Sequence, residues 1–168
     1  MPLGCRSCGS LLPEPVLEKA SPADFSRLKR FLGSFTGAGL EKQELAHLFV
    51  LRDVGNGKKI VGTVELLPCG AGTFYLCRVK VARHLRRQGI GRKLFRHALA
   101  RARTSGAWDV FAVTRSREDA PAVKIARQLG ASEIRKDELQ ERVVEPMIGR
   151  YSIQGNRFWR FPVNRAGS

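Results

Sequence analysis

Residues Val79 to Ala102 read VKVARHLRRQGIGRKLFRHALARA, and the rest of the chain is organised around this stretch. Val79 and Val81 alternate with Arg78, Lys80 and Ala82, the period of a strand. From Arg83 to Gln88 the only apolar residue is Leu85, which predicts a loop. From Ile90 onward the apolar residues Ile90, Leu94, Phe95, Ala98, Leu99 and Ala102 fall on one face of a helix. Gly89 and Gly91 stand at the joint, where glycine admits unusual backbone angles and close approach of a ligand. A helix start offers unpaired N–H groups and the positive end of the dipole, which together suit phosphate. Arg86, Arg87, Arg92 and Lys93 add positive charge beside it.

Upstream of the stretch, Met1 to Pro15 reads as a tail, and residues 16–168 as one domain. Val16 to Lys19 is a candidate first strand. Ser21, Pro22 and Asp24 mark a helix start whose apolar face is Phe25, Leu28, Phe31 and Leu32, and Gly33 is expected to end it. Leu40 to Leu48 is a candidate second helix. Leu48 to Val54 and Lys59 to Leu67 form a predicted hairpin around Gly55-Asn56-Gly57. Pro68 to Gly72 is expected to turn into a third strand, Thr73 to Val81.

Downstream, Trp108 to Thr114 is an apolar strand, so the glycine loop and its helix sit inside a β-α-β element. Glu118 to Leu129 is a predicted helix stopped by Gly130, with Pro121 fitting only its first turn. Ser132 to Ile134 and Phe158 to Val163 are candidate strands, and Lys136 to Arg142 a helical turn or loop. The run Arg157-Phe158-Trp159-Arg160-Phe161 has two readings: apolar residues turned into a core, or aromatics interleaved with cations for stacking on bases.

The chain has 168 residues and a formal net charge of +15. Between Arg78 and Arg117 the only acid is Asp109. Such a surface attracts nucleic acid, acidic proteins or anionic membrane. No run approaches the roughly 18 apolar residues of a membrane helix, and no membrane partner is expected. Four cysteines are too few for a disulfide scaffold, so a reduced intracellular compartment is expected, cytoplasmic or mitochondrial. Cys5 and Cys8 make half of a zinc knuckle without a second half, so no metal is expected.

The hexapeptide Arg86-Arg87-Gln88-Gly89-Ile90-Gly91 fits the Arg/Gln-x-x-Gly-x-Gly/Ala signature, and this region resembles the GCN5-related N-acetyltransferase (GNAT) superfamily. Val81 stands five residues before the motif, where that family has a strand valine, and Gly91-Arg92-Lys93-Leu94-Phe95 is close to its Gly-Arg-x-Leu-Leu. The resemblance covers Ile60 to Gly130. It implies an α/β (α+β) fold: a mixed, mostly antiparallel central sheet flanked by helices, with a β-α-β core for acetyl-CoA as cosubstrate. The cofactor-binding residues it implies are Val79, Val81, Arg86, Arg87, Gln88, Gly89, Ile90, Gly91, Arg92 and Lys93. Backbone amides of the loop would cradle the pyrophosphate, and the main chain near Val81 would pair with the pantetheine arm and polarise the carbonyl.

The catalytic groups are less plainly written. Family members with a strand glutamate place it near Phe74 or Tyr75 here, and neither is a carboxylate. Glu65, the only acid between Asp53 and Asp109, is a candidate base, with a water chain as the alternative. The family's later Asn-x-x-Ala-x-x-x-Tyr-x-x-x-Gly lays onto Asp119, Ala122, Ala126 and Gly130, so the tyrosine that would protonate the leaving sulfur is absent. Tyr75 and Tyr151 are candidate substitutes, and a thiolate can leave unprotonated. Two functions follow. One is an acetyl-CoA-dependent N-acetyltransferase acting directly on an amine of a small molecule or protein. The other is a catalytically weak or inactive protein of the same fold, retaining CoA as a structural ligand and binding RNA or a ribonucleoprotein such as the ribosome.

Overall fold

Seven strands in one sheet carry the fold, and the computed structural model describes residues 15–36, 40–115, 117–142 and 156–163. Strands β1 (Val16–Lys19), β2 (Leu48–Asp53), β3 (Lys59–Gly70) and β4 (Thr73–Val81) pair successively as an antiparallel meander. Helix α1 (Phe25–Thr36) and a 3-10 helix (Lys42–His47) lie between β1 and β2. Helix α2 (Ile90–Thr104) returns the chain so that β5 (Asp109–Arg115) runs parallel to β4. Helix α3 (Pro121–Gln128), β6 (Ser132–Ile134), α4 (Lys136–Arg142) and β7 (Asn156–Phe161) follow. The order across the sheet is β1-β2-β3-β4-β5-β7-β6. This is the mixed, mostly antiparallel α/β sheet expected from the sequence.

β3 is buried continuously from Val61 to Leu67, as a strand covered on both faces must be. On one face the α2 residues Leu94, Phe95, Ala98 and Ala102 pack with Val64, Leu66, Val110 and Trp159. On the other, Leu28, Leu32 and Leu40 close over Leu48 and Val50, and Leu139 of α4 closes over Tyr75, Phe111 and Phe158. α1 begins as predicted. Pro22 opens a 3-10 turn, and the Asp24 carboxylate accepts from the Ser21 N–H and hydroxyl at 2.9 and 2.8 Å.

Several boundaries differ from the sequence reading, each for a physical reason. Gly33 breaks α1 at φ +73° without ending it. The expected second helix is a 3-10 helix of six residues. Pro68 lies inside β3, opposite Phe74, rather than in a turn. β2 pairs with β3 only as far as Glu65, so Pro68 has no ladder bond to lose on that side. α3 starts at Pro121 rather than Glu118, because proline at the first helical position lacks only an N–H that would be unpaired anyway. Trp108 precedes β5 and is exposed. The aromatic run is a core strand: Phe158, Trp159 and Phe161 are buried, and β7 sits between β5 and β6. Base stacking by these three residues is therefore ruled out. Met1 to Glu14, with Cys5 and Cys8, and Arg150-Tyr151 lie outside the described residues.

Candidate functional site

The site is built where two parallel strands part company. β4 and β5 pair from Thr73 and Asp109 up to Leu76 and Ala112. Beyond that point β5 stays with β7, pairing Val113 with Phe158 and Thr114 with Arg157. β4 continues to Val81 paired with β3, so among the described residues its backbone there presents an open edge on the β5 side. A bulge starts this divergence. The β3–β4 register slips between Thr63 and Glu65, and Arg78 takes φ +45°, left-handed backbone in a non-glycine residue.

A groove of about 720 Å³ opens at this divergence. Val79, Lys80 and Val81 form its strand side, Arg86, Arg87, Gly89 and the first turn of α2 its end, and α3 its far wall. The loop is shaped by left-handed residues, with Arg87 at φ +63° and Gly89 at φ +76°. Gly89 is the N-cap of α2 and supplies no side-chain hydrogen bond to the first-turn amides. A Cβ at Gly89 would meet nothing within 4 Å among the described residues, which leaves open space before the helix. Gly91 is different, because a Cβ there would lie 3.2 Å from Ile125 Cδ1; that glycine lets α2 and α3 approach. The Arg86 guanidinium donates from Nε to the Val81 carbonyl at 3.1 Å and ties the loop to the open strand.

Electrostatically the groove has one sign. Lys80, Arg86, Arg87, Arg92 and Lys124 line it, with the Lys80 ammonium already donating to the Leu32 carbonyl at 2.8 Å, and among the described residues no acidic, hydroxyl or thiol side chain does. Open space at a helix start, free first-turn amides and the other four cations fit an anionic phosphate ligand.

Of the residues singled out from sequence, Val79, Val81, Arg86, Arg87, Gly89, Ile90, Gly91 and Arg92 are brought together on the groove. Gln88 and Lys93 are exposed and not part of its lining. The Gln88 amide donates instead to the His84 carbonyl at 3.4 Å. Sequence reasoning missed the α3 wall, above all Ala122, Lys124 and Ile125. The available signal was the face of α3 left over after Val123 and Ala126 turn into the core. Ala126, at the family's tyrosine position, is fully buried and belongs to that core rather than to the groove.

Glu65 and Tyr75 lie elsewhere. Both are buried, and neither lines the groove. Glu65 accepts from Arg78 Nη1 at 2.5 Å and from the Cys77 thiol at 3.1 Å, with the Arg78 and Glu65 side chains 2% and 0% exposed. It is a salt-bridged core residue, not the solvent-facing strand residue that alternation alone allows. Tyr75 packs among Leu67, Cys77, Phe111, Leu139 and Phe158. Cys69, at the far end of the hairpin, has its thiol pushed up to about 11 by burial, against a hydrogen bond involving the Tyr75 backbone.

No curated protein sequence matches the chain. Solved structures share its fold. Rv2747 from Mycobacterium tuberculosis, in complex with CoA and NLQ, superposes with a TM-score of 0.70 at 18% identity, covering 88% of this chain and 98% of that one. A GNAT-family acetyltransferase from Staphylococcus aureus Mu50 gives 0.70 at 15% identity, covering 89% and 99%. N-acetylglutamate synthase from Neisseria gonorrhoeae, complexed with coenzyme A and N-acetyl-glutamate, gives 0.73 at 17% identity; 91% of this chain is covered, but only 36% of the synthase. The family model described as "Acetyltransferase (GNAT) family" matches residues 13–131. That span holds the meander, the bulge, the parted strands and the glycine loop with both of its flanking helices, and the chain belongs to the acetyltransferase (GNAT) family.

Proposed function

We propose that the protein is an acetyl-CoA-dependent N-acetyltransferase that passes an acetyl group directly to an amine. The observation that carries the reading is the parting of β4 from β5 beside a cationic, glycine-jointed helix start. Two of the similar folds, from Mycobacterium tuberculosis and Neisseria gonorrhoeae, are complexes with CoA, which supports the same ligand here. First-turn amides of α2 with Arg87 and Arg92 hold the pyrophosphate, and the open edge of β4 from Val79 to Val81 aligns the pantetheine arm. When bound, acetyl-CoA supplies an activated thioester. A backbone N–H of the open β4 edge is placed to stabilise negative charge on the acyl oxygen. Arg86 keeps the Val81 carbonyl occupied and fixes the edge that carries these groups.

The side chains of Glu65 and Tyr75 do not reach this groove, so we assign deprotonation of the amine to solvent. The thiolate also takes its proton from solvent, which its ordinary acidity permits. The acceptor is an amine of unassigned identity.

Titration calorimetry with acetyl-CoA tests the reading. Micromolar binding is expected, weakened about tenfold or more by Arg92→Glu at the wild-type melting temperature, and likewise by Gly89→Asp, which stays folded at a melting temperature lowered by the strain of a non-glycine residue at φ +76°. Release of free thiol with at least one member of an amine panel is then expected. A folded wild-type protein that binds no acetyl-CoA would overturn the proposal.

A further inference from the structure

Several arginines of the described surface outside α2 are matched with carboxylates. Arg52 pairs with Glu18 and Asp24, Arg127 with Glu118, Arg157 with Glu118 and Glu133, and Arg160 with Asp109. In α2 such partners are missing among the described residues. No acid occurs between Glu65 and Asp109 in the sequence. Lys93, Arg96 and Arg103 are exposed, and among the described residues no carboxylate pairs with any of them.

Arg103 stands in the last turn, where the dipole favours a cation, but the placement of the others is not what helix stability alone would choose. Arg92 and Lys93 stand in the first turn, at the positive end of the dipole. Arg92 and Arg96 are like charges at i and i+4, a spacing that destabilises a helix. Arg92, Arg96 and Arg103 fall within about 40° of one another around the helix and form a row about 16 Å long. Only Arg92 of this row lines the groove, so a ligand there leaves Lys93, Arg96 and Arg103 uncompensated.

Five residues beyond Arg103 in the chain stands Trp108, which is 61% exposed. The indole is held in place rather than free. A Cβ at Gly72 would lie 3.2 Å from its Cγ, so part of the ring packs on the Gly72 backbone, and the Trp108 N–H donates to the Gly72 carbonyl at 2.8 Å. The turn presenting Trp108 is tied to the row, because the Gly106 N–H donates to the Arg103 carbonyl at 3.0 Å.

We propose that the outward face of α2 with Trp108 is a docking surface for single-stranded RNA. Lys93, Arg96 and Arg103 contact phosphates, and the fixed indole stacks on an unpaired base. An anionic membrane would call for large apolar residues among the cations, and the exposed face of α2 offers only Ala100. An acidic protein would use the charges but has no need of a fixed, open indole.

Fluorescence anisotropy with a labelled 12-nucleotide uridine-rich RNA tests this, read across a salt series with and without saturating coenzyme A. Binding is expected to fall with salt at a log–log slope of about −2, for three phosphates at roughly 0.7 each. Arg96→Gln with Arg103→Gln is expected to reduce the slope by about 1.4. Trp108→Ala is expected to weaken binding about tenfold with the slope unchanged. Coenzyme A is expected to leave binding intact. These side chains are mostly exposed, so melting temperatures within a few degrees of wild type serve as the folding control. The proposal is overturned by absence of binding at about 50 mM salt, a range where phosphate contacts are strong. It is equally overturned by full competition from coenzyme A, or by polyglutamate binding as well as RNA with Trp108→Ala silent. Failure here leaves the acetyl-CoA reading standing, since that reading is judged by a different titration.

Discussion

His97 sits on the sheet-facing shoulder of α2, its ring edge-on to Phe49 with centroids 5.0 Å apart. Desolvation first, and the Arg101 charge second, hold its imidazole below the ordinary value of 6.5. A group with a depressed basic pKa binds its proton more readily when the chain is unfolded. Its stabilisation is therefore full above about pH 6.5 and is lost as pH falls below that value. Carboxylates held low, such as Asp24, contribute their loss only in a more acidic range. Burial alone would raise Asp24, but hydrogen bonds from Arg52 and Ser21 win and keep it below 3.8. Melting curves from pH 7 to pH 5 are expected to shift downward in the wild type and to shift less in His97→Phe. Equal slopes in the two proteins would rule His97 out as the source. No periodicity announces this residue: the sequence shows a histidine on a helix, and only the neighbouring strand makes it half-buried.

At the level of the strand, the bulge in β4 is what turns Val79 to Val81 toward the groove, and its cost is visible. Left-handed backbone at a non-glycine residue costs on the order of 1–3 kcal/mol, and Arg78 adopts it at φ +45°. The strain is held by local bonds: Thr63 Oγ1 donates to the Arg78 carbonyl at 2.8 Å, and the Arg78 side chain reaches back to Glu65. Removing one partner strands a buried charge, so Glu65→Gln is expected to lower stability by about 3 kcal/mol in urea denaturation. Replacing both, as Glu65→Leu with Arg78→Met, is expected to recover most of that loss. As a positioning residue, Glu65 should show its effect in a raised acetyl-CoA dissociation constant, with the pH profile of turnover unmoved. A missing acidic limb in that profile with cofactor affinity intact would instead make it the base. The sequence marks Glu65 as an oddity in an apolar strand. It does not show the partner, because the pair depends on where the β3–β4 register slips.

For the molecule as a whole, the net charge of +15 acts on every element at once. Self-repulsion destabilises the compact state, and mobile ions relieve it. Between about 0.01 M and 0.1 M salt the Debye length shortens from roughly 30 Å to 10 Å. The melting temperature is expected to rise over this interval in calorimetry, since the described acids are mostly engaged in local pairs and leave an unpaired cationic field around α2. A flat or falling melting temperature would show that this field carries no folding cost. The same field governs ligands of every kind, so affinities for acetyl-CoA and for RNA are to be compared at one ionic strength. No helix among the described residues is long and apolar enough to cross a membrane.

What was legible in the sequence was local. The buried face of α2 is the set Ile90, Leu94, Phe95, Ala98, Leu99 and Ala102 that helical periodicity picks out. β1, β4 and β6 fall on the predicted residues, of the two readings of Lys136 to Arg142 the helical one holds, and the glycine loop stands where its spacing put it. Periodicity and turn chemistry act over a few residues, so a sequence displays them directly. Contacts between distant segments were settled only in three dimensions. The α3 wall of the groove, the parting of β4 from β5, the salt bridge of Glu65 with Arg78 and the burial of Trp159 against Thr114 are of this kind. Each depends on register, bulge and strand order. Those are fixed by which arrangement buries the most apolar surface at once, a property of the whole chain and of no single stretch.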